Sequence, residues 1–340
     1  MNLPRFEFLG PTTLKETLSL MSKHGEKLRL LAGGTEITGR LKNRLLSPAY
    51  IMSLKRVDAL AGIKEKKNEL VIGATTTLSE VADSHLIADL FRSVSEAARH
   101  VAAPAIRNVA TVAGNLLQES RCLYYNQSEL PRNGLGPCYK LGGEVCHAVK
   151  GGKRCFNVYQ GDLAPALIAV GARARLQKMG SSRTVPVEAL FTGKGANPIG
   201  LVRDELLTEV ILPIRKGRSA SAYQKFAIRG SIDYPLASAA VFLSEEKDGT
   251  IADARIVLGA TGPGPKVAQD ATSAIQGKRP QDVQDIDVQQ VASLAAKAVE
   301  AVDNLILPAS YRRKLAAVMT KRALEEALRS LREVEHARRT

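Results

Sequence analysis

The sequence has no tryptophan, and aromatic residues make up only 4% of its 340 positions. It therefore lacks the aromatic-interleaved basic stripe on which nucleic-acid bases stack. It has no long apolar run. Stretches such as Ala164–Val170 fall far short of the ~18 residues a membrane-spanning helix needs. The segment Met1–Glu7 shows no basic-then-apolar signal pattern, so a cytoplasmic protein is expected. No Walker A loop and no G-x-G-x-x-G turn occurs; Gly193-Lys194-Gly195 fails because Pro198 stands where the third glycine belongs. A P-loop NTPase and a simple Rossmann dehydrogenase are thereby disfavoured. Paired C-x2–4-C knuckles, the usual mark of structural zinc, are also missing. Histidines are few, and His24, His85, His100 and His336 fall near expected helix ends or on a charged helix face. None belongs to a recognised nucleophile–base motif.

What is present suits a globular chain of two or three domains. Apolar residues reach 45% and charged residues 24%. Forty-eight basic residues face 34 acidic ones, a balance of +14. Part of the excess is local: from Tyr311 onward nine basic residues face four acidic ones, on a helix with Leu315, Val318, Leu324, Leu328 and Leu331 along one face. Such a surface can steer a small acidic electron carrier or a phosphate-rich cofactor.

Local signals order the elements. Thr13-Leu14-Lys15-Glu16 is a capping box, Leu14, Leu18 and Met21 repeat at helical spacing, and Gly25 ends that helix. Leu28–Leu31 reads as a short strand running into Ala32-Gly33-Gly34-Thr35-Glu36. Leu70–Ile72 is another strand, Thr77-Leu78-Ser79-Glu80 caps a second helix, and Ala88–Val101 reads as helix broken by Pro104–Asn108. Asp162–Gln177 reads as helix then strand, and Leu206–Leu212 as a strand. Strands at Ser238–Leu243 and Ala254–Gly259 and helices at Gln289–Asp303 and Tyr311–Arg332 form a second α+β region.

Three constellations carry chemistry. Gly33-Gly34-Thr35 follows a strand, and adjacent glycines let backbone N–H groups converge on a phosphate. Thr111-Val112-Ala113-Gly114-Asn115 repeats the ingredients, so two loops can grip two parts of a pyrophosphate. The third is the cysteine set: Cys122, Cys138, Cys146 and Cys155 are the only four and lie within one tenth of the chain. They sit in residues 119–157, a glycine- and proline-bearing stretch that reads as a long inserted loop. A loop of that length needs a function or something to hold it. Disulfides are disfavoured in a cytosolic protein. Iron–sulfur, zinc and unliganded thiols all remain open from the spacing, with His147 a spare ligand. Asp162 reads either as a helix N-cap or as an acceptor for a cofactor hydroxyl.

Together these segments resemble the flavin-binding medium subunit of the xanthine oxidase family of molybdenum hydroxylases, over nearly the whole chain. The family's first flavin loop resembles Leu30-Leu31-Ala32-Gly33-Gly34-Thr35-Glu36-Ile37. Its second resembles Ile106-Arg107-Asn108 with Thr111-Val112-Ala113-Gly114-Asn115, Ala113 replacing a customary glycine. Gly161-Asp162-Leu163-Ala164-Pro165 resembles a third contact, through Asp162. Tyr223-Gln224-Lys225-Phe226 with Arg229 and Asp233 is also similar, which implies Lys225 near the flavin and Val101 and Leu207 as apolar neighbours. The cysteine insert resembles that of the β subunits of 4-hydroxybenzoyl-CoA reductases, which carry an extra [4Fe-4S] cluster.

The resemblance implies an α+β protein. Its two-part FAD-binding domain, of the vanillyl-alcohol-oxidase/molybdenum-hydroxylase type, comprises lobes at 1–57 and 58–216, with the insert at 119–157. A C-terminal α+β domain follows at 217–340. It implies FAD and a [4Fe-4S] cluster on Cys122, Cys138, Cys146 and Cys155. It also implies a large molybdenum-cofactor subunit and a small [2Fe-2S] subunit in a heterotrimer, paired as a dimer of heterotrimers, with a low-potential donor such as ferredoxin. No nucleic-acid or membrane partner is expected. Two other readings compete: a flavin subunit of a related hydroxylase using NAD or oxygen with structural zinc in the loop, and a non-enzymatic nucleic-acid binder with a zinc loop.

Overall fold

The computed structural model describes residues 3–202, 204–303 and 306–339. Its first unit is a parallel three-stranded sheet in the order β1-β3-β2, formed by β1 (Glu7–Leu9), β2 (Leu28–Leu31) and β3 (Tyr50–Ser53). Helix α1 (Leu14–His24) precedes β2. Thr13 Oγ1 accepts the Glu16 N–H, while the Glu16 carboxylate reaches one residue further back than a capping box requires, to the Thr12 N–H at 3.0 Å. Gly25, at φ +50°, ends the helix. Leu18 and Met21 pack with Leu28, Met52, Leu54 and Leu206 in a small core. β2 runs through the glycine turn into α2 (Ile37–Lys42).

The second sheet is antiparallel, in the order β4-β5-β8-β6-β7. Its strands are β4 (Ile63–Lys66), β5 (Glu69–Gly73), β6 (Arg173–Lys178), β7 (Ser181–Pro186) and β8 (Leu206–Pro213). Between β5 and β6 lie α3 (Leu78–Asp83), α4 (His85–Leu90), α5 (Arg92–Arg99), α6 (Pro104–Arg107), α7 (Val112–Leu116), α8 (Glu129–Leu135) and α9 (Leu163–Ala169). α3 carries a full capping box, Thr77 with Glu80. The single helix expected over Ala88–Val101 is instead broken at Phe91, whose ring is buried in the main core and whose backbone is non-helical. Pro104 does not merely break structure; it starts α6, because a proline at a helix's first position forfeits no hydrogen bond.

The third sheet is antiparallel in the order β12-β11-β10-β9: β9 (Ser219–Phe226), β10 (Ala237–Glu245), β11 (Ile251–Gly259) and β12 (Lys266–Val267). It is buried on both faces. Ala240 and Phe242 of β10 face the main core, whereas Ala239, Val241 and Leu243 pack under α10 (Gln269–Ile275), α11 (Asp285–Lys297) and α12 (Ala309–Arg339). That two-sided burial explains the unbroken apolar run of β10. α5 joins this sheet to the second: Glu96 accepts the Tyr223 N–H, and Ser221 Oγ accepts the Ser93 N–H. No helix among the described residues is long and apolar enough to cross a membrane.

The cysteine-bearing insert leaves after α7 and returns before α9. Arg121 and Val158 pair as an isolated antiparallel bridge that ties its ends together. It is not structureless: α8 lies within it, with Pro131 tolerated in the first turn. Arg132 clamps the insert to the end of α2. Its guanidinium donates to the carbonyls of Asn43 (3.0 Å), Gln127 (2.7 Å) and Arg44 (3.1 Å). Glu119 bridges Arg40 of α2 and the buried Lys140. Arg132→Ala is expected to weaken the clamp by about 2–3 kcal/mol, since bonds from charged donors are worth more than neutral ones. Limited proteolysis will show it as faster cleavage confined to the insert.

Candidate functional site

The glycine turn and the second loop meet backbone to backbone. A Cβ on Gly33 would fall 1.9 Å from the Val109 carbonyl oxygen, so only glycine permits the approach. Gly34, at φ +77°, completes the turn. On the facing side Thr111 Oγ1 accepts the Gly114 N–H at 3.1 Å and starts α7. Asn115 Oδ1 accepts the Leu163 N–H at 3.1 Å and so holds the start of α9.

Between these loops opens a cleft enclosing about 780 Å³ of empty space, its mouth included. Of the residues singled out from the sequence, Thr35, Glu36, Val101, Ile106, Gly114, Asn115, Asp162 and Asp233 line it. Leu30, Leu31, Ala32, Gly33, Gly34, Ile37, Thr111, Val112 and Ala113 belong to the segments that carry those lining residues. Leu207 stands apart: it is buried in the main core, paired with Leu176 across β8 and β6.

Asp162 is at the N-cap position of α9 but caps nothing. Its carboxylate accepts from the Tyr223 hydroxyl at 2.7 Å and the Lys225 ammonium at 3.2 Å. Both ends of the ion pair are buried, with side chains 5% and 6% exposed. Lys225 also donates to the carbonyls of His100 (3.0 Å) and Asp233 (3.1 Å). Burial pushes the Asp162 carboxyl above its usual range, against the pull of Lys225 and Tyr223. Burial, then the Lys225 charge, holds the His100 imidazole below its usual value.

Sequence reasoning missed the other wall. Arg121 pairs with Glu36 and lies 4.6 Å from the centre of the Tyr234 ring. Gln160, Ile232 and Tyr234 complete the cleft. Glu36 and Arg121 lie 85 positions apart, so no local pattern joins them. Glu36 Oε1 and Arg121 Nε are buried, and among the described residues neither has a hydrogen-bond partner. Unpaired buried polar atoms on a cleft wall are what a bound ligand would satisfy. The double-glycine approach, the donor-rich turn and these two atoms fit an extended phosphate-bearing cofactor.

The insert brings its four cysteines together: Cys122, Cys138, Cys146 and Cys155 all line one small cavity, with Lys140, His147 and Asn157. His147 is engaged with the Gly136 carbonyl at 3.2 Å. Burial raises the Cys122 and Cys155 thiols, opposed at Cys122 by the N–H groups of Tyr125 and Tyr124 and at Cys155 by the Asn157 N–H and the Lys140 charge. Among the described residues no three His, Cys, Asp or Glu side chains are close enough to hold one metal ion.

Comparison with known proteins places this geometry. The family described as FAD binding domain in molybdopterin dehydrogenase matches residues 4–215. That described as CO dehydrogenase flavoprotein C-terminal domain matches residues 221–327. The chain belongs to this family of FAD-binding subunits of molybdenum hydroxylases. The carbon monoxide dehydrogenase medium chain of Hydrogenophaga pseudoflava is 27% identical over 95% of this chain and 97% of its own length. That of Afipia carboxidovorans is 28% identical over 95% and 96%. The solved structure of carbon monoxide dehydrogenase from Hydrogenophaga pseudoflava superposes with a TM-score of 0.79 at 26% identity, covering 97% of this chain and all of that one.

Proposed function

We propose that this chain is the FAD-carrying electron-transfer subunit of a molybdenum-containing hydroxylase or dehydrogenase. Its partners would be a large molybdenum-cofactor subunit and a small [2Fe-2S] subunit in a heterotrimer, paired as a dimer of heterotrimers. The observation that supports this most is the cleft between the two glycine-bearing loops, walled by the unpaired Glu36 Oε1 and Arg121 Nε. Residues Leu30–Ile37 and Thr111–Asn115 would hold the pyrophosphate end of FAD. Asp162 and Lys225 would lie toward the ring end, with Val101 contributing an apolar neighbour; Leu207, buried in the core, would support the cleft only from behind. When bound, FAD supplies electron-transfer chemistry; the chain supplies binding, orientation and electrostatics. Asp162 fixes the Lys225 ammonium beside the cleft, and Ile232, Asp233 and Tyr234 of the loop between β9 and β10 wall one side of it.

A finer reading has its own support. The four cysteines, distant in sequence, line one cavity. Four cysteines match the ligand count of a [4Fe-4S] cluster, and the paired knuckles usual for structural zinc are missing from the sequence. With such a cluster comes the function of a 4-hydroxybenzoyl-CoA reductase type of subunit, fed by a low-potential donor such as ferredoxin, in a complex that removes a phenolic hydroxyl reductively. The carbon monoxide dehydrogenase relatives support the alternative better, the FAD subunit of a related hydroxylase or dehydrogenase, read with NAD or oxygen as acceptor and zinc in the loop.

Cofactor content tests both levels. Anoxically purified chain is expected to hold one FAD, and about four iron with matching sulfide. Cys138→Ala is expected to drop iron below one per chain while FAD is retained. Zinc without iron would reduce the insert to a structural clip; folded protein that binds no FAD would sink the reading altogether.

A further inference from the structure

Asn157 lies two residues beyond Cys155 on the return arm of the insert and is 2% exposed. It lines the cavity that the four cysteines share. Its backbone N–H already donates to the Cys155 sulfur. Its side chain is another matter: Nδ2 and Oδ1 are both shut off from solvent, and among the described residues neither has a partner. Buried amides in native proteins are nearly always paired, so this one calls for a partner that the polypeptide does not supply.

The chemistry of the wall says what that partner is. The groups around the cysteines are donors and a cation. Tyr124 and Tyr125 present N–H groups to Cys122. The Lys140 ammonium, 4% exposed, acts on Cys155, but it is fully engaged with Glu119 (2.8 Å) and the carbonyls of Ala196 (2.8 Å) and Gly195 (3.2 Å). The Asn157 amide is a buried side-chain donor on this wall that has no partner among the described residues. Resting on the iron–sulfur reading of the insert, we propose that Asn157 Nδ2 donates a hydrogen bond to a sulfur of the cluster and thereby raises its reduction potential. Reduction adds one electron to an already anionic, sulfur-rich core. An N–H dipole pointing at a sulfur stabilises the more negative state, and such bonds are among the factors that set cluster potentials. Asn157 is on this account a positioning residue for redox tuning, not a ligand.

The test is a potentiometric titration of the full chain, purified anoxically and followed by EPR, in wild type, Asn157→Ala, Asn157→Leu and Asn157→Ser. Removing the donor in the Ala and Leu variants is expected to make reduction about tenfold less favourable, 59 mV lower for one electron, with iron content unchanged. The serine hydroxyl can still donate and is expected to recover part of that shift. Iron-loaded Ala and Leu variants with the wild-type potential would overturn the inference. So would a Ser variant that falls as far as Ala, since the effect would then be one of cavity volume or water entry. Loss of iron from all three variants would make Asn157 structural and overturn it as well. Wild-type chain without iron refutes the reading of the insert itself, and is distinguished from the other failures before any variant is made.

Discussion

Gly33→Ala is expected to purify without its yellow colour. The added methyl falls 1.9 Å from the Val109 carbonyl oxygen and 2.6 Å from its carbon. Both atoms are backbone, so no side chain can swing aside, and the two loops must part. Forced overpacking costs about 1–3 kcal/mol in a well-packed site, and each ~1.4 kcal/mol is tenfold in binding. With the cleft walls displaced, FAD affinity is expected to fall ten- to a hundredfold, read as flavin absorbance per chain and by titration with free FAD. Gly39→Ala is the control. Gly39 lies in α2, close to the same loop in sequence, but its Cβ would meet nothing within 4 Å. That variant is expected to keep its flavin, and to gain a few tenths of a kcal/mol or more because alanine suits a helix better.

Asp162→Ala is expected to destabilise the folded chain by about 3–5 kcal/mol, the cost of leaving one partner of a buried ion pair uncompensated. Lys225 keeps its two carbonyls at 3.0 and 3.1 Å, but no anion remains beside it. Urea unfolding of full-length protein measures the loss. Replacing both partners, Asp162→Leu with Lys225→Met, should recover much of it, because a buried pair as a whole is close to break-even against apolar groups of similar size. The pH dependence has an unusual sign. Since burial raises the Asp162 carboxyl, the folded chain takes up this proton at a pH where the unfolded chain does not. The favourable contribution of the protonated form is complete below about pH 4, and is lost as pH rises through the folded value. Stability of wild type relative to the double variant should therefore improve on mild acidification, opposite to the usual behaviour of a salt-bridged aspartate.

The elements legible in the sequence are those whose cause is local. Thr13 with Glu16, and Thr77 with Glu80, announce two helix starts; Gly25 announces an end. The apolar run at Ser238–Leu243 announces the strand β10, and its two-sided burial comes from the packing. Other features are decided at a distance. β9 is rich in Ser and Ala and becomes a strand through its pairing with β10, Tyr223 opposite Ala240. β1 and β3 form a parallel pair that no hairpin signal can reveal, Phe8 opposite Ile51. Phe91 breaks a helix because its ring is drawn into the core. The same division runs through the site. The glycine turns and the cysteine cluster are marked by composition, whereas Arg121 and Tyr234 become cleft residues only when Glu36 is brought beside them across the fold.

The Arg121–Val158 bridge has a further consequence for the history of the chain. Because the two ends of the insert already touch and pair, residues 122–157 form a cassette whose removal leaves neighbouring termini that a tight turn can rejoin. Such a segment can be acquired or shed in a single genetic event without re-routing the strands on either side. A shortened gene in which two glycines replace the cassette should yield a yellow protein that binds FAD as tightly as before and has simply lost whatever the cysteines hold.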